Sequence, residues 1–212
     1  FEQQVPGIDI CHHPPPRGGL VFSGTGQVAA HGRVLETLRA HLSADAGCEI
    51  LSARVAEVIS TAAGPVTCLA DGTCRASDIV ILAAGIGTRG LVRGWTPPLI
   101  AERGYSIEWD HGGAPAIPPM VFADRSYIVT RFGARMRAST FVEFTRPDAA
   151  PDPRKWACLE RRVQESGLPV HSAFSRWIGS RPTLPDYLPA IGPLPGMPGV
   201  IAACGHQHLG LT

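Results

Sequence analysis

The densest chemical signal in this sequence is Trp177-Ile178-Gly179-Ser180-Arg181-Pro182-Thr183-Leu184-Pro185-Asp186. A guanidinium is a planar fork of donors that matches a carboxylate. An arginine in an apolar strand, with proline stiffening the chain beside it, reads as a fixed anion clamp; the plainer reading is a structural or surface Arg181. Tyr127 lies in a strand-like run, where it serves as core or sheet surface unless it pairs with such an anion site. Two apolar runs end at glycine, Val80 to Gly85 and Val200 to Gly205. In α/β sheets ligands gather at the carboxyl ends of strands, and bare backbone N–H groups there favour a negative group. The alternative is that these glycines only make tight turns.

Other clusters carry less. His12-His13 are adjacent, so on extended chain their side chains point opposite ways. His206 and His208 lie two apart with Cys204 nearby, but no acidic or cysteine partner stands at ligand spacing, so no metal is expected. No Walker loop, Gly-x-Ser-x-Gly or His-Glu-x-x-His is present. Lys and Arg number 19 against 18 Asp and Glu, which argues against a nucleic-acid binder. No apolar run approaches the length of a bilayer span. The six cysteines at 11, 48, 68, 74, 158 and 204 match no small secreted scaffold, so they read as reduced thiols, although Cys68 and Cys74 could face each other across the Asp71-Gly72 turn.

The elements that must position these residues follow from periodicity and punctuation. With 24 Gly and 20 Pro in 212 residues, strands and irregular connections should outweigh long helices. Val34, Leu35, Leu38 and Leu42 predict a helix from about His31 to Ala46, stopped by Gly47. Trp156, Leu159 and Val163 predict a second one over Pro151–Gly167. Gly18–Phe22, Cys48–Leu51, Arg54–Ile59 and Val66–Leu69 read as strands, and Ile79–Ala84 as a strand buried on both faces. Tyr105–Trp109, Met120–Ala123, Tyr127–Phe132 and Met136–Thr145 read as an antiparallel meander. Val170–Ile178 and Val200–Ala203 are strand-like, and proline-rich Pro182–Pro198 reads as extended loop. Two interleaved domains are expected.

Three stretches together carry a resemblance: Arg103-Gly104-Tyr105-Ser106; Trp177-x-Gly179-x-Arg181-Pro182-x-x-Pro185-Asp186-x-x-Pro189-x-Ile191-Gly192; and Gly205-His206-x-His208-x-Gly210-Leu211-Thr212. They resemble the flavoprotein family of D-amino acid oxidases and dehydrogenases, with glycine and sarcosine oxidases as relatives and the bacterial D-amino acid dehydrogenases nearest in look. Gly18–Phe22, Gly26-Gln27-Val28 and Ile79–Gly85 fit the same likeness.

The resemblance implies an α/β, D-amino acid oxidase-like fold: a large antiparallel substrate sheet interleaved with part of a Rossmann-like FAD domain. It implies residues 1–95 mainly in the FAD part, 96–180 in the substrate sheet and 181–212 returning to the FAD part. It implies oxidation of the amine carbon of a D-amino acid by hydride transfer to FAD. Sister reactions on secondary amines or 2-hydroxy acids are alternatives, as is a flavin-free binding module. Arg181 and Tyr127 would hold the substrate carboxylate. His208 stands where relatives carry an arginine as a third contact. Val55, Ala84, Gly85 and Gly205, His206, Gln207, His208, Leu209, Gly210, Leu211 and Thr212 would line FAD. No catalytic acid–base residue is implied, since flavin supplies the redox chemistry. The electron acceptor would be oxygen or a quinone chain. The location would be cytoplasmic or peripheral to the inner face of the plasma membrane. The family's N-terminal glycine fingerprint and final helix have no counterpart here. The expectation is therefore an internal fragment that alone binds FAD weakly or not at all.

Overall fold

The computed structural model describes residues 18–22, 24, 26–113 and 117–210; His12, His13, Cys11, Leu211 and Thr212 lie outside them. The chain divides into two compact units. The first takes the described residues up to Glu49, with Gly104–Val142 and Ala150–Gly179. The second takes Ile50–Arg103, Glu143–Ala149 and the residues from Ser180 onward.

In the first unit, helix α1 (His31–Ala44) is amphipathic, yet none of its residues is buried, and Val34, Leu35, Leu38 and Leu42 stay exposed. Its His31 ring meets Phe132 edge-on. This unit also holds the larger part of a five-stranded sheet with the order β6-β7-β8-β5-β9, whose β5, β8 and β9 run on into residues of the second unit. The strands are β5 (Ile100–Asp110), β6 (Met120–Phe122), β7 (Tyr127–Phe132), β8 (Arg135–Phe144) and β9 (Ser175–Thr183). The β6–β7 and β7–β8 pairs are antiparallel, with Tyr127 opposite both Phe122 and Thr140. Alternate residues point inward, so Ile107, Trp109, Met120, Tyr127, Val129, Met136 and Ala138 make one core.

Helix α2 (Pro153–Glu165) closes that core with Leu159 and Val163, both fully buried. Burial of two such side chains stabilises by roughly 1.5–3 kcal/mol each. The helix starts two residues after the expected Pro151: Asp152 accepts from the Arg154 N–H as N-cap, and Pro153 opens the first turn.

The second unit contains two three-stranded sheets. Strands β1 (Val55–Thr61), β2 (Gly64–Leu69) and β3 (Cys74–Ala76) form an antiparallel meander, and Cys68 pairs with Cys74 in register. Strand β4 (Val80–Leu82) runs parallel to β11 (Val200–Cys204), and β10 (Ala190–Pro193) adds antiparallel to β11. Leu82, Val200 and Ala202 pack with Val58, Val92 and Leu194.

Several expectations are corrected. Gly18–Phe22 and Cys48–Leu51 form no strand, and both stretches are exposed. Strand β4 is bare on one face, with Ile81 62% exposed, rather than buried on both. Strand β9 begins later than Val170 and continues through Arg181 and Pro182 to Thr183, and Pro182–Pro198 is interrupted by β10. Proline was compatible with strand at these places because an edge position leaves its missing N–H unneeded. Cys68 and Cys74 form a disulfide, so reduced thiols are the wrong reading for this pair.

Candidate functional site

Arg181 sits near the end of β9, and its surroundings within the second unit are specific. Glu102 on β5, the neighbouring strand, places Oε1 3.6 Å from Arg181 Nη1. The other carboxylate oxygen of Glu102 accepts a 2.8 Å hydrogen bond from the Thr183 hydroxyl. The Glu102 side chain is 9% exposed and that of Arg181 31%. Thus one corner of the guanidinium is anchored, and the rest of its fork has no side-chain partner among the described residues. An exposed edge of a held guanidinium is what bidentate carboxylate recognition requires.

The same strand end is tied to the turn after β11. Thr183 bridges His206, and the Gln207 N–H donates to the Pro182 carbonyl at 3.1 Å. Gln207 Nε2 donates to the Tyr187 carbonyl at 2.8 Å. These bonds hold Gln207 at φ +53°, a left-handed conformation that a non-glycine residue adopts only when its surroundings fix it. Gly205, at φ +82°, must be glycine: a Cβ there would come within 2.6 Å of the Leu184 side chain.

The parallel register Val80–Val200 and Leu82–Ala202 sets the carboxyl ends of β4 and β11 side by side. Gly85 and Gly205, 120 positions apart in sequence, therefore follow adjacent strand ends. After β4 the chain enters a single 3₁₀ turn, Gly85–Thr88, whose Gly85 (φ +56°) and Gly87 face open space. The Thr88 hydroxyl is wholly buried and lacks a hydrogen-bond partner. A groove of about 400 Å³ lies nearby in chain terms, lined by Trp95, Pro189–Leu194 and Ala202.

The other candidate residues have surroundings of their own. Tyr127 is 1% exposed, stacks on Phe122, and shares a short hydrogen bond with Ser166 Oγ. Burial pushes its phenol above the ordinary value, against the opposing Ser166 bond. Val55 opens β1 at a bulge and packs, half-buried, beside the Leu82–Val200 core. His208, Leu209 and Gly210 are exposed, while Ala84 caps the 3₁₀ turn. No group able to hold a metal occurs among the described residues. Cys204 is buried, and that burial raises its thiol pKa, so it fills space beside Leu99 and Leu184.

Two signature residues prove structural. Arg103 is 2% exposed and bonds Glu143 at 3.2 Å and the Ala149 carbonyl at 2.6 Å. Trp177 lies over Gly179, where any Cβ would overlap its ring, which explains the Trp-x-Gly spacing. Glu102 and Thr183 were missed at the sequence level. No local signal sets them apart, since Glu102 stands beside Arg103 and Thr183 closes the polar run Ser180-Arg181-Pro182-Thr183.

Residues 2–212 match the DAO family, described as FAD dependent oxidoreductase. The chain is 27% identical over 207 residues to a D-amino-acid oxidase of Bradyrhizobium diazoefficiens, covering 94% of this chain and 49% of that protein. It is 31% identical over 148 residues to a D-amino acid dehydrogenase of Xylella fastidiosa, covering 67% and 34%. Among solved structures, iminodiacetate oxidase from Chelativorans sp. BNC1 superposes with a TM-score of 0.67 at 19% identity, over 83% of this chain and 49% of that one; this likeness speaks for the fold alone. The chain thus spans half or less of the length of these relatives. A match over nearly every residue makes this chain a member of the DAO family of FAD-dependent oxidoreductases.

Proposed function

We propose that this chain is the carboxylate-recognising part of an FAD-dependent amino-acid oxidoreductase that oxidises the amine carbon of a D-amino acid. The observation that carries this reading is Arg181: a guanidinium anchored at one corner by Glu102, with its remaining edge open, on a strand end bonded to the turn after β11.

The residues fit the flavin. Open space beside the glycine backbone at Gly85 and Gly87 and exposed apolar side chains at Ile81 and Ile191 offer backbone and apolar surface in one unit, where the buried Thr88 hydroxyl also lacks a hydrogen-bond partner. Ala84, Gly85 and the Gly205–Gly210 turn are the residues we assign to holding it, with Val55 supporting them from the core. When bound, the flavin supplies the hydride acceptor. The chain supplies position: Arg181 fixes the substrate carboxylate, and with it the direction of the adjacent carbon, without any acid–base pair of its own. Tyr127 contributes by shaping the sheet, its hydroxyl being engaged by Ser166. His208, exposed on the turn, is free to face the substrate side. The D-amino-acid oxidase and dehydrogenase names of the relatives favour a D-amino acid over a secondary amine or a 2-hydroxy acid.

The test is anaerobic mixing of the flavin-loaded protein with D-amino acids, L-amino acids, N-methyl amino acids and 2-hydroxy acids in turn. Bleaching of the flavin band by D-amino acids at the lowest concentrations is expected. Bleaching chiefly by another class would replace the proposed substrate. Oxygen consumption against quinone reduction then distinguishes the acceptor.

A further inference from the structure

We infer that Glu102 is a specificity-determining residue: its fixed negative charge beside Arg181 makes the site prefer a zwitterionic amino acid over a plain carboxylate of the same shape. This deepens the proposed function and rests on Arg181 as the carboxylate clamp.

The geometry has three parts, all within the second unit. First, the carboxylate is immobile. Its Oε2 accepts from Thr183 at 2.8 Å, and its side chain is 9% exposed. Second, the charge is close to the clamp, at 3.6 Å from Arg181 Nη1. Third, the contact is partial, since Glu102 engages a single guanidinium nitrogen and leaves the fork's other edge without a side-chain partner among the described residues. A substrate carboxylate on that edge meets a clamp whose positive charge is partly offset by Glu102 at 3.6 Å.

The consequence depends on the net charge of the ligand. A simple carboxylate is attracted by Arg181 and repelled by Glu102. A zwitterion carries the same carboxylate, but its ammonium group is drawn to Glu102. Any loosening of Arg181 on removal of Glu102 would affect both ligands alike, because both are held through the same fork. The ratio of the two affinities therefore isolates the charge of Glu102 from its structural role. At separations of several ångströms near a partly exposed site, a unit charge changes such a ratio by roughly tenfold.

The experiment uses a matched pair: 2-aminoisobutyrate, which has no α-hydrogen to lose and so is not turned over, and isobutyrate, which lacks only the amine. Each is titrated calorimetrically into the flavin-loaded protein, as wild type, Glu102→Gln, Glu102→Asp and Arg181→Ala, with Tm recorded for each variant. Wild type should bind 2-aminoisobutyrate more tightly. Glu102→Gln, whose amide still accepts from Thr183, should reduce that preference at least about fivefold, mainly through tighter isobutyrate binding. Glu102→Asp keeps the charge and should keep the preference. If Glu102→Gln does not fold, Glu102→Met gives the same readout without a buried amide. A preference unchanged within about twofold in the charge-free variants, with both ligands weakened by Arg181→Ala, overturns the role of Glu102 alone. Arg181→Ala binding both ligands as wild type does overturns the clamp itself.

Discussion

Three arginine or tyrosine positions that look alike in sequence do different work once their partners are counted. Arg103 has its fork occupied by Glu143 and two carbonyls and is sealed from water, so it holds the fold. Arg181 has one weak anchor and an open edge. Tyr127 has a buried hydroxyl already bonded to Ser166. From this, Tyr127→Phe should reduce stability by about 1 kcal/mol, the worth of one neutral hydrogen bond. The loss is limited because Ser166 Oγ still donates to the Arg162 carbonyl at 2.7 Å. Chemical denaturation measures it. A large rise in KM with unchanged stability would instead put the hydroxyl on the substrate. Residue types and spacing exposed Arg181 in the sequence. They did not expose Glu102, because nothing along the chain says that position 102 on one strand lies beside position 181 on another.

Among the elements, the Asp71-Gly72 turn was legible because a local rule decides it, and it makes the β2–β3 hairpin. The helix ends were less so, since α2 starts after its Asp152 cap rather than at Pro151 and α1 stops at Ala44, before Gly47. What was not legible was burial: β4 reads as doubly buried from composition, whereas its second face is exposed, and α1 has a clean apolar stripe that stays exposed. Periodicity states which residues share a face and is silent on what covers it.

Two tests belong at the scale of elements. The Asp152 carboxyl is held at about 2, below its ordinary 3.8, by the Arg154 side chain and backbone N–H. A depressed carboxylate contributes stability that is complete above its unfolded pKa and lost as pH falls through the folded one. The Tm should thus decline between about pH 4 and pH 2, and Asp152→Ala should flatten that decline in thermal melts. An equal decline in both proteins would assign the acid sensitivity to other carboxylates. The second test concerns the hairpin staple. Cys68 and Cys74 close a loop with a sequence separation of 6, so Cys68→Ala with Cys74→Ala should destabilise by about 2 kcal/mol. Reducing agent should reproduce this shift in wild type and leave the double variant unchanged.

For the molecule as a whole, the parallel pair β4–β11 is the organising feature, since it brings two glycine turns from distant sequence to one edge and, through Pro182 and Thr183, attaches the Arg181 strand to it. The family likeness was visible in the spaced motifs; the joining of those motifs required the fold. The central claim is that Arg181 holds the substrate carboxylate. Its most direct test is the steady-state kcat/KM of Arg181→Ala toward the best D-amino acid, with flavin content matched to wild type. Truncating one partner of a charge-assisted bidentate pair costs on the order of 2–5 kcal/mol. The account predicts a fall of roughly 30-fold to several-thousand-fold, chiefly in KM, with Arg181→Lys recovering only part of it. A kcat/KM close to wild type in Arg181→Ala would contradict it and place the carboxylate elsewhere.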